Sequence, residues 1–239
     1  MSRIVLIHGA WHGAWCWYKV IPLLERHGHT VIAPDLPGHG VDRTPPNRVN
    51  LDGYAKRVCE VLDDGEEPAL LVGHSMGGIA VTRAAELRPD RISTLVYVTG
   101  FLLPSGRSLL DEAQTDPDTL VLPNLVFPQD DPSYVNLRPE ALREIFYGDC
   151  SDADFALVRT AYTPQPQSPL LAPVETTAKN FGRVPRVYIE TQLDRAITPP
   201  AQKRMYTARS CEKVISMHTA HSPFFSAPEE LAEHLLSLA

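Results

Sequence analysis

Residues 69 to 78 read Ala-Leu-Leu-Val-Gly-His-Ser-Met-Gly-Gly, and this run constrains the fold more than any other. Four apolar residues without a polar interruption suit a strand buried on both faces. Ile79-Ala80-Val81 and Ala84-Ala85 then supply a buried helix. Between them the chain must reverse so tightly that side chains at Gly73 and Gly77 would collide with neighbouring elements. A serine at the apex of such a turn is thrust forward at strained φ/ψ. This is the G-x-S-x-G nucleophile elbow, with Ser75 as the nucleophile. The flanking strand and helix give the motif its weight, because a glycine-rich turn with an incidental serine requires neither.

The rest of the chain repeats this alternation. Strands are expected at Ile4-Ile7, Thr30-Ala33, Ala69-Val72, Ile92-Val98, Val184-Ile189 and Lys213-Met217. Helices are expected near Trp15-Arg26, Asn50-Leu62, Met76-Leu87, Pro199-Thr207 and Pro228-Leu238. Apolar strands alternating with helices predict an α/β fold, a mostly parallel sheet with helices on both faces. A chain of 239 residues suffices for one sizeable core of this kind.

One stretch breaks the pattern. From Leu103 to about Phe181 no clear strand is visible and prolines are dense, from Pro104 to Pro173. Short helices fit at Pro139-Tyr147 and Asp152-Thr160, the second with Ser151 as N-cap and Asp154 three residues on. An insertion this long has its own role. It is expected to be a mainly helical cap, 103–181, inserted after the strand ending near Val98. The core would be 1–102 and 182–239, and the cap would cover the C-terminal edge of the sheet, where ligands bind in open α/β folds.

Charge and composition exclude several classes. A net charge of −7 argues against a nucleic-acid binder and against an anionic membrane surface. The acidic run Asp63-Asp64-Gly65-Glu66-Glu67 reads as a solvated loop. No apolar stretch approaches the length of a membrane span, and Met1-Ser2-Arg3 runs straight into a strand without a secretory h-region. Cys16, Cys59, Cys150 and Cys211 are scattered, which suits free thiols in a reducing cytoplasm and argues against a zinc site.

A serine hydroxyl needs a base, and the base needs an orienting acid. In a strand–elbow–helix architecture of this type the chain order is Ser, then Asp or Glu, then His. Val187-Tyr188-Ile189-Glu190 is a strand whose following turn carries Asp194. Val214-Ile215-Ser216-Met217 is the next, and it runs into a loop holding His218 and His221. His221, at the loop-to-helix position, is favoured over His218. Asp35 precedes the elbow and is assigned a loop role. After the Ile92-Val98 strand stand Thr99 and Gly100, so the other common acid position holds no carboxylate. An oxyanion would need two backbone N–H donors. Met76, at a helix N-terminus, is one; Ala10, in the turn His8-Gly9-Ala10-Trp11-His12-Gly13, is the best second.

Taken together, these segments resemble the α/β-hydrolase superfamily. More narrowly they resemble the branch of plant methylesterases, hydroxynitrile lyases and related bacterial carboxylesterases. The likeness rests on Leu6 to Trp15, Gly73 to Gly78, Leu193 to Pro199 and His221 to Ser226; within the cap it is weaker and centres on Ile145 to Pro164. It implies Ser75 as nucleophile, His221 as base, Asp194 as acid, and Ala10 and Met76 as oxyanion donors. No metal or cofactor is implied. Lyases of this branch carry a threonine after the first-strand histidine and a lysine after the catalytic histidine; here those positions are Gly9 and Ser222. The expectation is therefore a serine esterase acting on small or medium carboxylic esters. The alternatives are a hydroxynitrile lyase, thioesterase or lactonase, or a receptor or cyclase that uses the pocket without acyl transfer. Trp11, Leu125, Phe127, Phe146, Tyr147 and Tyr162 are the expected substrate-binding residues, and their composition suggests an apolar substrate. A homodimer formed near the cap is a family-level expectation.

Overall fold

The computed structural model describes residues 2–239. Among these residues nine strands form in chain order: β1 (Arg3–Ile7), β2 (Thr30–Ile32), β3 (Ala69–His74), β4 (Ile92–Val98), β5 (Leu125–Val126), β6 (Tyr134–Leu137), β7 (Gln165–Pro166), β8 (Arg186–Thr191) and β9 (Lys213–Met217). Six of them make the central sheet, in the order β2-β1-β3-β4-β8-β9, and every pairing is parallel. β3 is buried along its whole length, as its unbroken apolar run requires.

Helices Leu51–Asp63 and Gly77–Leu87 pack against each other and against the sheet. The first buries Leu51, Tyr54, Ala55, Val58, Cys59 and Leu62, a single stripe at helical spacing. Asn50 caps it, its Oδ1 accepting from the Gly53 N–H at 2.8 Å. The expected helix Trp15-Arg26 is instead a 3₁₀ turn, Ala14–Trp17, followed by a short helix, Val20–Glu25. Pro22 sits in that helix's first turn, where a missing N–H costs no hydrogen bond.

The insert between β4 and β8 corrects one expectation. It contains short helices, but also the antiparallel sheet β5-β6-β7. β5 and β7 are two residues long, and β7 includes Pro166. Strands this short show no period-2 pattern, and proline hides an edge strand by removing its donor. Helix Leu109–Ala113 was also not anticipated. Ser108 and Asp111 form a reciprocal capping box there, legible as S-x-x-D once a helix is sought. Helix Asp152–Ala161 forms as expected, with the Ser151 hydroxyl accepting from the Asp154 N–H at 3.1 Å. The Pro139-Tyr147 helix is confined to Leu142–Phe146.

Candidate active site

Parallel strands end on one edge of the sheet, and the turns after β1, β3, β8 and β9 therefore meet there. The elbow follows β3. Ser75 has φ +53°, left-handed backbone that L-residues rarely adopt. Its N–H donates to the Val98 carbonyl at 3.3 Å, and its carbonyl accepts from Gly78 and Phe101 N–H at 2.9 and 3.0 Å. The glycines are needed for space. A Cβ at Gly73 would lie 2.7 Å from Val81 Cγ2, and one at Gly77 would lie 2.7 Å from the His8 carbonyl oxygen.

Among the described residues only two other non-glycine residues have positive φ, Trp11 at +61° and Thr99 at +38°. Both belong to this site. Backbone strain of order 1–3 kcal/mol per residue persists only where surrounding structure holds it, and it concentrates at functional sites.

Asp194 follows β8 and is buried. Its Oδ1 accepts from the Ala196 and Ile197 N–H groups at 2.7 and 3.0 Å. Its Oδ2 accepts from Thr99 Oγ1 at 2.6 Å, from Thr191 Oγ1 at 3.0 Å and from His221 Nδ1 at 2.7 Å. Five donors make this a preorganised carboxylate. Since a carboxylate only accepts, His221 carries its proton on Nδ1, which leaves Nε2 with the lone pair of a base. Thr99 occupies the acid position that lacks a carboxylate in the sequence, and its hydroxyl serves the carboxylate one strand over. Sequence reasoning missed it. The one available signal was that it stands at the C-terminal end of β4.

His221, buried, packs against Phe146 with ring centroids 5.1 Å apart. Its carbonyl accepts from His74 Nε2–H at 2.9 Å, so the residue before Ser75 holds the backbone of the His221 loop. His74 is fully buried, and burial together with the neighbouring His221 holds its imidazole well below the ordinary histidine range. His218 is exposed and pairs with Gln192 Oε1 at 3.2 Å, away from Asp194. Asp35 accepts from Ala14 and Val41 N–H at 2.6 and 2.9 Å, the loop role expected of it.

A cavity of about 60 Å³ opens beside Ser75. Ala10, Trp11, Met76, Leu125, Phe146 and Ile197 are among its walls, and no charged side chain lines it. Apart from Ser75, Thr119 is its one hydroxyl, and that donates to the Ala196 carbonyl at 2.7 Å. Neither the Ala10 nor the Met76 N–H donates to a protein group among the described residues.

Three of the expected substrate-binding residues, Trp11, Leu125 and Phe146, thus stand beside Ser75. The other three do not. Phe127 is 58% exposed, just past the end of β5. Tyr162 lies on an outer groove of the insert, where its hydroxyl accepts from the Leu137 N–H at 3.1 Å. Tyr147 is buried, and its hydroxyl is used on His12 Nε2 at 2.6 Å. Aromatic composition could not separate a cavity wall from a packing residue.

The insert is bonded to the loops after β1, β8 and β9. Asp116 accepts from Thr198 N–H and Oγ1 at 3.0 and 2.8 Å, and Leu120 N–H donates to the Arg195 carbonyl at 2.9 Å. Trp11 Nε1 donates to the Val135 carbonyl at 3.0 Å, and Thr163 N–H to the Trp11 carbonyl at 3.1 Å.

Comparison with known proteins agrees with this architecture. The model of the family described as "Alpha/beta hydrolase family" matches residues 4–234. "Putative methylesterase 11, chloroplastic" of Arabidopsis thaliana is 34% identical over 100% of this chain, which spans 64% of that protein's length. Methylesterase 9 of the same plant is 33% identical, with 100% of this chain and 98% of the relative covered. Among solved structures, a pyrethroid hydrolase from Sphingobium faniae JZ-2 superposes with a TM-score of 0.85 at 30% identity, covering 99% of this chain and 96% of that one. The chain belongs to the alpha/beta hydrolase family.

Proposed function

We propose that this protein is a serine esterase cleaving small or medium apolar carboxylic esters through an acyl-enzyme. The observation that carries the reading is the 2.7 Å contact between His221 Nδ1 and Asp194 Oδ2. Asp194 holds its Nδ1 proton, which leaves Nε2 as a base, while Ser75 stands strained on an uncharged cavity. In this reading His221 Nε2 takes the Ser75 proton as Oγ attacks the ester carbonyl. Ala10 N–H and Met76 N–H receive the oxyanion, and their lack of protein partners supports that role. The alcohol leaves with the proton from His221, and water then attacks the acyl group to free the acid.

The cavity supports an uncharged acyl group. A space of about 60 Å³ is far below the ~300–1,000 Å³ of drug-sized ligand sites. Short acyl chains therefore fit as the protein stands, and larger esters require the insert to yield. Two observations favour hydrolysis over hydroxynitrile cleavage. A Cβ at Gly9 would lie 2.9 Å from both His74 Nδ1 and Ser75 Cβ, leaving no room for a threonine. Ser222 is fully buried, so a lysine there would have to bury its ammonium.

No helix among the described residues is long and apolar enough to cross a membrane. Four free cysteines support a reducing compartment, and we place the protein in the cytoplasm. We place a homodimer contact on the outer groove of the insert, where Leu137, Pro139 and Phe155 stand beside Glu140, Arg143 and Arg159; a monomer in sedimentation equilibrium would remove it. Ser75→Ala should lower kcat on p-nitrophenyl acetate by about 10⁶-fold and leave unfolding unchanged. A fluorophosphonate should label the unaltered protein at Ser75. Persistent hydrolysis by Ser75→Ala would overturn the assignment.

A further inference from the structure

The insert residues Tyr147 to Cys150 touch two catalytic loops at once. Tyr147 Oη donates to His12 Nε2 at 2.6 Å. His12 Nδ1 in turn donates to the Ala10 carbonyl at 2.7 Å. The directions are forced: the carbonyl can only accept, so Nδ1 carries the proton and Nε2 must accept from the tyrosine. His12 is buried, and burial lowers its pKa to about 4, so it stays neutral and keeps this tautomer. Two residues along, Asp149 Oδ2 accepts from the Ala220 N–H at 2.7 Å, immediately before His221. Cys150 Sγ lies 4.0 Å from the Ser222 carbonyl, immediately after it.

One short segment therefore bonds to the turn that carries Ala10 and brackets the base from both sides. That turn holds Trp11 at a positive φ, a strain that local sequence does not remove. We propose that Tyr147 and Asp149 are positioning residues, a clamp that holds the Ala10–His12 turn and the His221 loop in register. The inference rests on the esterase reading above. Through His12, Tyr147 sets the Ala10 turn. Asp149 sets the backbone entering His221. Neither lines the cavity beside Ser75. A clamp of this kind acts on the transition state more than on substrate binding, because the oxyanion donors and the base are used fully only there.

The test uses the full chain and p-nitrophenyl acetate, with Tyr147→Phe, Asp149→Ala and Asp149→Asn. Tyr147→Phe and Asp149→Ala should each lower kcat about tenfold with KM within about twofold of the parent. Asp149→Asn keeps an oxygen that can accept from Ala220 and should restore kcat to within about threefold. Amide exchange should rise in residues 10–13 for Tyr147→Phe and in 219–222 for Asp149→Ala. Unchanged kcat, a rise in KM that accounts for the whole loss, or Asp149→Asn as poor as Asp149→Ala would overturn the clamp. If the parent protein hydrolyses no ester and Ser75 takes no fluorophosphonate, the esterase reading falls separately. Exchange then decides the clamp: a rise confined to those two segments supports it, and unchanged exchange overturns it.

Discussion

The central sheet and the insert hold their order by different means. β3 and β4 bury nearly every side chain between two layers of helix, so removing water from continuous apolar surface holds them in place. In the insert the strands run two to four residues and the helices four to ten. It also buries apolar side chains such as Ile145, Phe146 and Val158 against the core, and to these it adds directed bonds to the loops of the sheet: Asp116 to Thr198, Tyr147 to His12, and Asp149 to Ala220. The sheet carries Ser75, Asp194 and His221 on the turns after its strands. The insert bonds to the loops after β1, β8 and β9 and walls the apolar cavity beside Ser75.

The largest effect that tests this division is Asp194→Asn. The amide cannot hold the Nδ1 proton of His221 as a charged acceptor does, and kcat should fall about 10⁴-fold. No single substitution in the insert should approach that loss, and one that did would break the comparison. Next comes Leu71→Ala, fully buried in β3, which should destabilise the fold by about 3 kcal/mol in urea titration.

Acid should act on the sheet side as well. His8, His12 and His74 are buried and held neutral below the ordinary histidine range, chiefly by burial. A lowered folded-state pKa means that the unfolded chain binds more protons. Stability is therefore present above about pH 6.5 and is lost as pH falls toward 4, the value for His12. His12 alone contributes about 3 kcal/mol to this loss. Urea midpoints measured from pH 7 to 4 should fall steadily, and a flat profile would contradict neutral buried imidazoles.

The smallest stability effect belongs to the insert. Leu125→Ala, on the cavity wall and only partly buried, should cost under about 1.5 kcal/mol. It should shift acyl preference toward longer chains by about tenfold, read as the ratio of kcat/KM for p-nitrophenyl butyrate and acetate.

The elbow was legible because its residue requirements are local. Gly73 and Gly77 are demanded by contacts within a few residues or with the adjoining strand, and Asp194 and His221 each follow a strand that comes after the elbow in the chain. The loop role of Asp35 and the N-cap at Ser151 were legible for the same reason. Phe127, Tyr147 and Tyr162 were misplaced because an aromatic side chain carries no mark of which neighbour it meets. The two-residue strands β5 and β7 were invisible for want of any repeat.

By itself, then, the sequence determined the parallel α/β sheet, the serine at the elbow, and the places of Asp194 and His221 after later strands. Each depends on periodicity, steric need at a turn, or chain order. Only the tertiary structure decided that Thr99 serves Asp194, that Tyr147 turns away from the cavity onto His12, and that Asp149 meets the base loop. Those bonds join residues 71 to 135 positions apart. No local pattern encodes them, because their geometry exists only once the sheet has brought its loops to one edge.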